Sequence, residues 1–171
     1  MSRITRFLAA ATFAVMAPIT AMTATAVPAQ AFPVVQGADR SGELLELKLI
    51  NDERIRLGLQ PLLWDEAKYP EAKAWSDKMG SHQIPFSHNT RGYYYNHFGE
   101  NLAATNSVPG MVKLFMDEKG LPVGSHERGH YESLTYPKFR YATVAISRDP
   151  YYGLVSTVYV SEFKGAAPAR W

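Results

Sequence analysis

The stretch Ser125-His126-Glu127-Arg128-Gly129-His130-Tyr131 decides how this chain is read. Taken as His126-Glu127-Arg128-Gly129-His130, it is an H-E-x-x-H string. On an α-helix that spacing puts two imidazoles on one face to hold zinc, with the glutamate as general base. Taken as Gly129-His130-Tyr131, it supplies a single histidine whose partners must come from elsewhere. The surroundings favour the second reading. Pro122 and Gly124 precede the string, Gly129 lies inside it, and no amphipathic run leads into it. An extended zinc-protease pattern places a glycine three residues beyond the second histidine and a third histidine three further on. Ser133 and Tyr136 stand there instead, and Glu162 on the last strand is the remaining candidate for a third ligand.

Outward from that stretch, the N-terminal end changes the meaning of the composition. Arg3 and Arg6 precede an Ala- and Thr-rich apolar run from Phe7 to Val27, which ends in Ala29-Gln30-Ala31. A positive start, an apolar middle and small residues at the cleavage positions predict a secretory signal peptide over residues 1–31. The run is long enough for a bilayer helix, but its threonines and Pro18 suit one poorly. Lys plus Arg exceed Asp plus Glu by 18 to 16, and Arg3 and Arg6 account for the whole excess. The exported chain is therefore formally neutral. Its basic residues are scattered among acidic ones, which excludes the basic stripe of a nucleic-acid binder. The chain has no cysteine, so disulfides, thiolate metal sites and thiol nucleophiles are excluded. A cysteine-free exported domain also points to a bacterial source.

Residues 32–40, with Pro33 and Gly37, are predicted to be a linker. A single domain is expected over 41–163 and a loose tail over 164–171. Leu44, Leu47, Ile50, Arg54 and Leu57 recur at spacings of three and four and predict a helix, with Ser41 as N-cap and Gly58 at the left-handed exit. A second helix is predicted from Asp65 to Met79, its core side formed by Ala67, Ala72, Trp75 and Met79. Pro70 forces either a kink or a restart with the proline in the first turn. The segment from Ser81 to Ser107, which includes His82, His88, His97 and Tyr93-Tyr94-Tyr95, reads as polar, aromatic and irregular. A third helix is predicted from Pro109 to about Glu118 with Met111, Leu114 and Phe115 inward, and a short one from Gly129 to Leu134. The β-branched alternating runs Tyr141–Ile146 and Leu154–Val160, joined by Asp149-Pro150-Tyr151-Tyr152-Gly153, predict a hairpin. Helices followed by a hairpin indicate an α+β domain.

Seven short motifs then fall in a fixed order. They are Asn51-x-x-Arg54, Gly58-Leu59-x-Pro61-Leu62-x-Trp64-Asp65, Phe86-Ser87-His88, Gly99-Glu100-Asn101-Leu102, Phe115-x-x-Glu118, Gly129-His130-Tyr131 and the closing Glu162-Phe163. Together, from about Leu44 to Phe163, they resemble the CAP superfamily, the SCP-like extracellular domains of cysteine-rich secretory, antigen 5 and pathogenesis-related proteins. The resemblance implies a three-layer α–β–α sandwich with a small antiparallel sheet and a large cleft. It implies that the cleft centres on His88, Glu100, Glu118 and His130. Family members usually carry Trp where this chain has Phe115, so Asp117 stands beside Glu118 as a candidate.

Two imidazoles with nearby carboxylates suit a divalent metal, most simply Zn²⁺, with His88 and His130 as ligands. Glu100 and Glu118 either orient the rings or take a proton from a metal-bound water, as in a hydrolase. The expected partner is an extracellular ligand: a lipid, a peptide or a protein surface. The competing readings are a metal-dependent hydrolase, including a zincin built on His126–His130, and a non-catalytic interaction module. Ser81-His82, Ser87-His88 and Ser125-His126 resemble nucleophile–base pairs only by adjacency.

Overall fold

In chain order, a computed structural model gives α1 (Ser41–Arg56), β1 (Leu63–Trp64), α2 (Tyr69–Gly80), β2 (Phe98–Thr105), α3 (Val108–Asp117), α4 (Gly129–Leu134), β3 (Tyr141–Asp149) and β4 (Gly153–Ser161). Short 3-10 turns precede α2 (Glu66–Lys68), follow α3 (Glu118–Gly120) and precede α4 (His126–Arg128). The structure describes residues 40–89 and 97–166. The predicted leader, nearly all of the linker, Tyr93–Tyr95 and the end of the tail lie outside the described residues.

Punctuation works locally much as the sequence suggests. Gly58, at φ +76°, provides the left-handed exit from α1. The helix starts one residue differently: Arg40 occupies the cap position and Ser41 is already helical, without a side-chain cap. Asp65 Oδ1 accepts from the Ala67 N–H at 3.1 Å and opens the 3-10 turn. Pro70 then falls in the first turn of α2, where its missing N–H costs nothing, so α2 restarts rather than kinks. Gly80 at the end of α2 presses onto β3; a Cβ there would run into the Arg148 carbonyl oxygen.

The sheet order is β1-β3-β4-β2. The hairpin β3–β4 and the pair β2–β4 are antiparallel, while β1 adds two residues parallel to β3, so the sheet is mixed rather than wholly antiparallel. Strand β2 corrects the expectation of an irregular segment up to Ser107. Phe98-Gly99-Glu100-Asn101 offers no alternation because residues on both faces of this strand are buried. Pairing with β4, from Phe98 opposite Ser161 to Thr105 opposite Leu154, builds it.

Helix α2 covers one face of the sheet, where Ala72 and Met79 meet Phe98, Leu102, Ala145, Val155 and Tyr159. The other face carries α1, α3 and α4, with Leu47, Ile50, Met111, Phe115 and Leu134 packed on Ala103, Val144, Val158 and Val160. This is an α+β sandwich of three layers. Each fully buried large apolar side chain contributes about 1.5–3 kcal/mol. On α3 the inward residues are Met111, Val112 and Phe115, whereas Leu114 is half exposed. On α1 the buried face is Glu43, Glu46, Leu47, Ile50, Asn51 and Arg54, rotated away from the expected Leu44 and Leu57.

Three polar groups on that face hold the layers. Asn51 pairs with the Leu62 backbone in both directions, donating to its carbonyl at 3.0 Å and accepting its N–H at 2.7 Å. Arg54, with no exposed surface, donates to the carbonyls of Gln60, Leu134, Tyr136 and Phe139 at 2.9, 2.6, 3.2 and 3.2 Å. Burial lowers its guanidinium to about 10, so it stays charged at neutral pH. Replacing Arg54 with Met strands four carbonyls, and we expect a loss of about 3–5 kcal/mol in urea unfolding.

Glu46 is fully buried beside Ser156 Oγ, 3.0 and 2.8 Å from its two oxygens. Burial pushes its carboxyl up to about 8 against the pull of the Ser156 hydroxyl, and neighbouring Glu43 raises it further. Below the ordinary carboxylate value both folded and unfolded chains hold the proton, and this contribution to stability is complete. As the pH rises towards about 8 only the folded chain still holds it, so stability falls by ~1.4 kcal/mol per pH unit. Glu46→Gln removes that slope. Urea melts at about pH 5 and about pH 8 should therefore show the variant gaining on the parent at the higher pH, by a few kcal/mol.

Candidate functional site

Glu100 lies on β2 opposite Tyr159 of β4 and has no exposed surface. Its partner arrives from the segment after α2, which is pinned by Trp75 Nε1 donating to the Ser87 carbonyl at 2.9 Å. The pin sets His88 Nδ1 2.8 Å from Glu100 Oε2, and the Asn89 N–H donates to the same carboxylate at 3.1 and 3.0 Å. Asn89 Nδ2 also donates to the Tyr159 hydroxyl at 3.1 Å, and the Tyr159 ring packs 5.0 Å from Phe98.

Glu118 follows α3 directly and repeats the arrangement. Its Oε1 lies 2.6 Å from His130 Nδ1, while Oε2 accepts the backbone N–H groups of His130 and Tyr131 at 2.9 and 3.1 Å. It thus caps the first turn of α4, its negative charge at the positive end of the helix. The His130 ring stacks obliquely on Phe115, 5.2 Å between centroids. In both pairs one carboxylate holds an imidazole Nδ1 and an adjacent backbone N–H together.

Both pairs connect to β2. Glu100 faces the α2 side with Phe98 and Leu102. The next residue, Asn101, faces the other side and donates through Nδ2 to Ser133 Oγ on α4 at 3.1 Å. Strand β2 therefore carries one acid and tethers the helix that bears the other pair's histidine.

The remaining candidates fall elsewhere. Asp117 is an exposed acid paired with Lys113, whereas Glu118 reaches His130. His126 and Glu127 are exposed and lie in the 3-10 turn, whereas His130 belongs to α4. His126 and His130 therefore do not lie on one continuous α-helix, the setting that the zincin reading requires. The backbone N–H of Glu127 itself and the Ser125 hydroxyl hold the Glu127 carboxyl below the usual range. Glu162, the suggested third zincin ligand, pairs with His97 Nδ1 at 2.9 Å. His82 Nε2 lies 3.0 Å from Asp149 Oδ2 at the hairpin turn. Ser81 and Ser87 donate to the carbonyls of Asp77 and Pro85, not to a histidine. Among the described residues no three His, Asp or Glu side chains gather in a metal-holding cluster. Sequence reasoning missed Asn89, Tyr159, Asn101 and Ser133, whose roles depend on contacts between distant segments.

A sequence profile described as "Cysteine-rich secretory protein family" (CAP) matches residues 47–163. The chain belongs to the CAP family. Solved structures with this fold include venom allergen-like protein 4 of Schistosoma mansoni, 11% identical with a TM-score of 0.54 over 75% of this chain and 94% of that one. An outer surface protein of Borrelia burgdorferi is 15% identical, with a TM-score of 0.56 over 75% of this chain and 97% of that one. An extracellular protein containing an SCP domain from Bacillus anthracis is 18% identical, with a TM-score of 0.53 over 71% of this chain and 41% of that one. At these identities the likeness is one of fold. No curated protein matches the chain in sequence. Among the described residues no helix of this CAP domain is long and apolar enough to cross a membrane.

Because Glu118 caps α4 as well as holding His130, its removal should be felt in both places. Glu118→Ala is expected to cost about 1–2 kcal/mol. It should also speed hydrogen exchange at the His130 and Tyr131 amides, as read by NMR, while amides in β3 and β4 keep their protection. Unchanged exchange at those two amides would contradict the capping role.

Proposed function

We propose that this protein is an exported CAP domain that binds an extracellular ligand, with His88 and His130 forming a divalent-metal site. The observation that carries the reading is the matched construction of the two histidine–carboxylate pairs. A carboxylate on Nδ1 fixes the neutral ring's proton there and directs the lone pair to Nε2, which is how metal-binding histidines are commonly held. Imidazole nitrogen as the donor favours zinc among common divalent ions. Two protein ligands leave the remaining coordination positions to water or to the ligand itself. Strand β2, which carries Glu100 and tethers the helix that bears His130, is an edge strand of the sheet.

Binding is favoured over hydrolysis. Both carboxylates already accept a ring nitrogen and backbone N–H groups, so each is committed to orientation rather than poised to take a proton from water. Export rests on the leader-like residues 1–31 and on the extracellular and outer-surface character of two structural relatives. The ligand class follows from neither. A lipid, a peptide and a protein surface all remain compatible with this neutral domain, while nucleic acid is disfavoured by its charge distribution.

Calorimetric titration with zinc chloride tests the metal site. The parent should bind one equivalent, and His88→Ala/His130→Ala should weaken binding at least about tenfold. His126→Ala should leave it unchanged. Undiminished zinc affinity in the double variant would overturn the proposal, and loss of affinity in His126→Ala would return the zincin reading.

A further inference from the structure

A concavity built without any member of the two histidine–carboxylate pairs lies where the start of β2, the end of β4 and the chain leaving α4 converge. Its volume is about 510 Å³, within the range of small-molecule sites. Three aromatic rings contribute to its lining. Phe98 and Phe139 are almost wholly buried, and Tyr136 stands edge-on to Phe139 with 5.0 Å between centroids. The walls are charged, with Glu132, Glu162, His97 and Lys138 completing the lining.

These charges are not equivalent. Glu132 is already committed, accepting the Gly124 N–H at 2.8 Å and pairing with Arg128 at 3.1 Å. Glu162 is only 15% exposed and has the single imidazole of His97 beside it, at 2.9 Å. Lys138 is exposed and has no acidic partner among the described residues. His97 adopts φ +71°, a left-handed conformation that disfavours a side chain. It is kept there by three contacts: its carbonyl accepts the Glu162 N–H at 3.0 Å, its ring meets the Glu162 carboxylate, and Phe163 packs edge-on 5.4 Å away. It fixes the partly desolvated Glu162 carboxylate in a lining that also holds the Lys138 ammonium and the three aromatic rings.

We infer that this concavity is a binding site for a free α-amino acid with an aromatic or large apolar side chain. Glu162 takes the ammonium, Lys138 takes the carboxylate, and the side chain lies against Tyr136 and the exposed edges of Phe98 and Phe139. A monovalent amine or acid of the same shape satisfies only one wall. The inference stands apart from the proposed metal site, since neither pair contributes to it.

The test is saturation-transfer NMR and calorimetry on the full chain with L-phenylalanine, phenethylamine and 3-phenylpropionate. For a ligand of this size a dissociation constant of about 1 mM or tighter is expected for L-phenylalanine. Each singly charged analogue should bind at least about fivefold more weakly. Lys138→Ala should abolish the preference over phenethylamine, and Glu162→Gln the preference over 3-phenylpropionate. His88→Ala/His130→Ala should leave all three affinities unchanged, which separates this site from the metal proposal. Lys138 is exposed and contributes nothing to the core, so its variant folds even if Glu162→Gln is impaired. Absence of saturable binding at about 10 mM L-phenylalanine, equal binding of all three compounds, or parent-like selectivity in Lys138→Ala would overturn the inference.

Discussion

The guanidinium of Arg54 is the constraint on which the rest of the domain depends. It lies in the core with no carboxylate partner among the described residues, and its charge is spread over four main-chain carbonyls from three separate places: the turn after α1, the end of α4 and the loop entering β3. An unpaired buried charge would be costly, but the aligned carbonyl dipoles and the planar fork of arginine donors offset that cost. The consequence reaches the candidate site. Helix α4 has six residues, too few to be stable alone. Glu118 caps its beginning and Arg54 gathers the carbonyls at its end, so His130 sits on a short helix fastened at both ends.

The same logic recurs through the interior. Asn51 clasps Leu62, Ser76 Oγ lies 3.1 Å from the carbonyls of Ala145 and Val155, and Asn101 reaches Ser133. Each bond contributes only about 1 kcal/mol, yet a buried polar group left without its partner loses more than that. Such groups fix which segments meet. This chain has no cysteine, unlike the cysteine-rich proteins that name its family, and side chain-to-backbone clasps supply the cross-links between layers. Their cost is visible in Glu46, a buried acid kept protonated by its surroundings.

Helices α3 and α4 and the β3–β4 hairpin were legible because their punctuation is local: Ser107 and Pro109 open α3, Gly129 opens α4, and Asp149-Pro150 turns the hairpin. Strand β2 was not legible. Its polar start carries no alternation, and only pairing with β4 makes it a strand. The inward face of α1 was misplaced for a related reason, since Glu43, Glu46 and Asn51 are buried by specific partners that no hydropathy pattern encodes. In the site, spacing alone linked His130 to His126, whereas the fold links it to Glu118, twelve residues back. The ordered motifs singled out His88, Glu100, Glu118 and His130. What they could not supply was the pairing, or the bridging parts played by Asn89 and Ser133.

That pairing makes the four residues unequal. Each glutamate serves structure and site together: Glu118 holds the opening turn of α4, and Glu100 fastens Asn89 to a buried strand. The two histidine side chains are each about a quarter exposed, 25% for His88 and 23% for His130. Changes at the histidines should therefore act on the proposed site, while changes at the glutamates act on the fold as well. An acid so deeply engaged has little freedom to shuttle protons, because giving up its ring or its N–H during a reaction would loosen the scaffold. On the proposed reading the architecture suits a rigid receptacle better than a turnover centre, and that follows from where the carboxylates are bonded rather than from which residues they are.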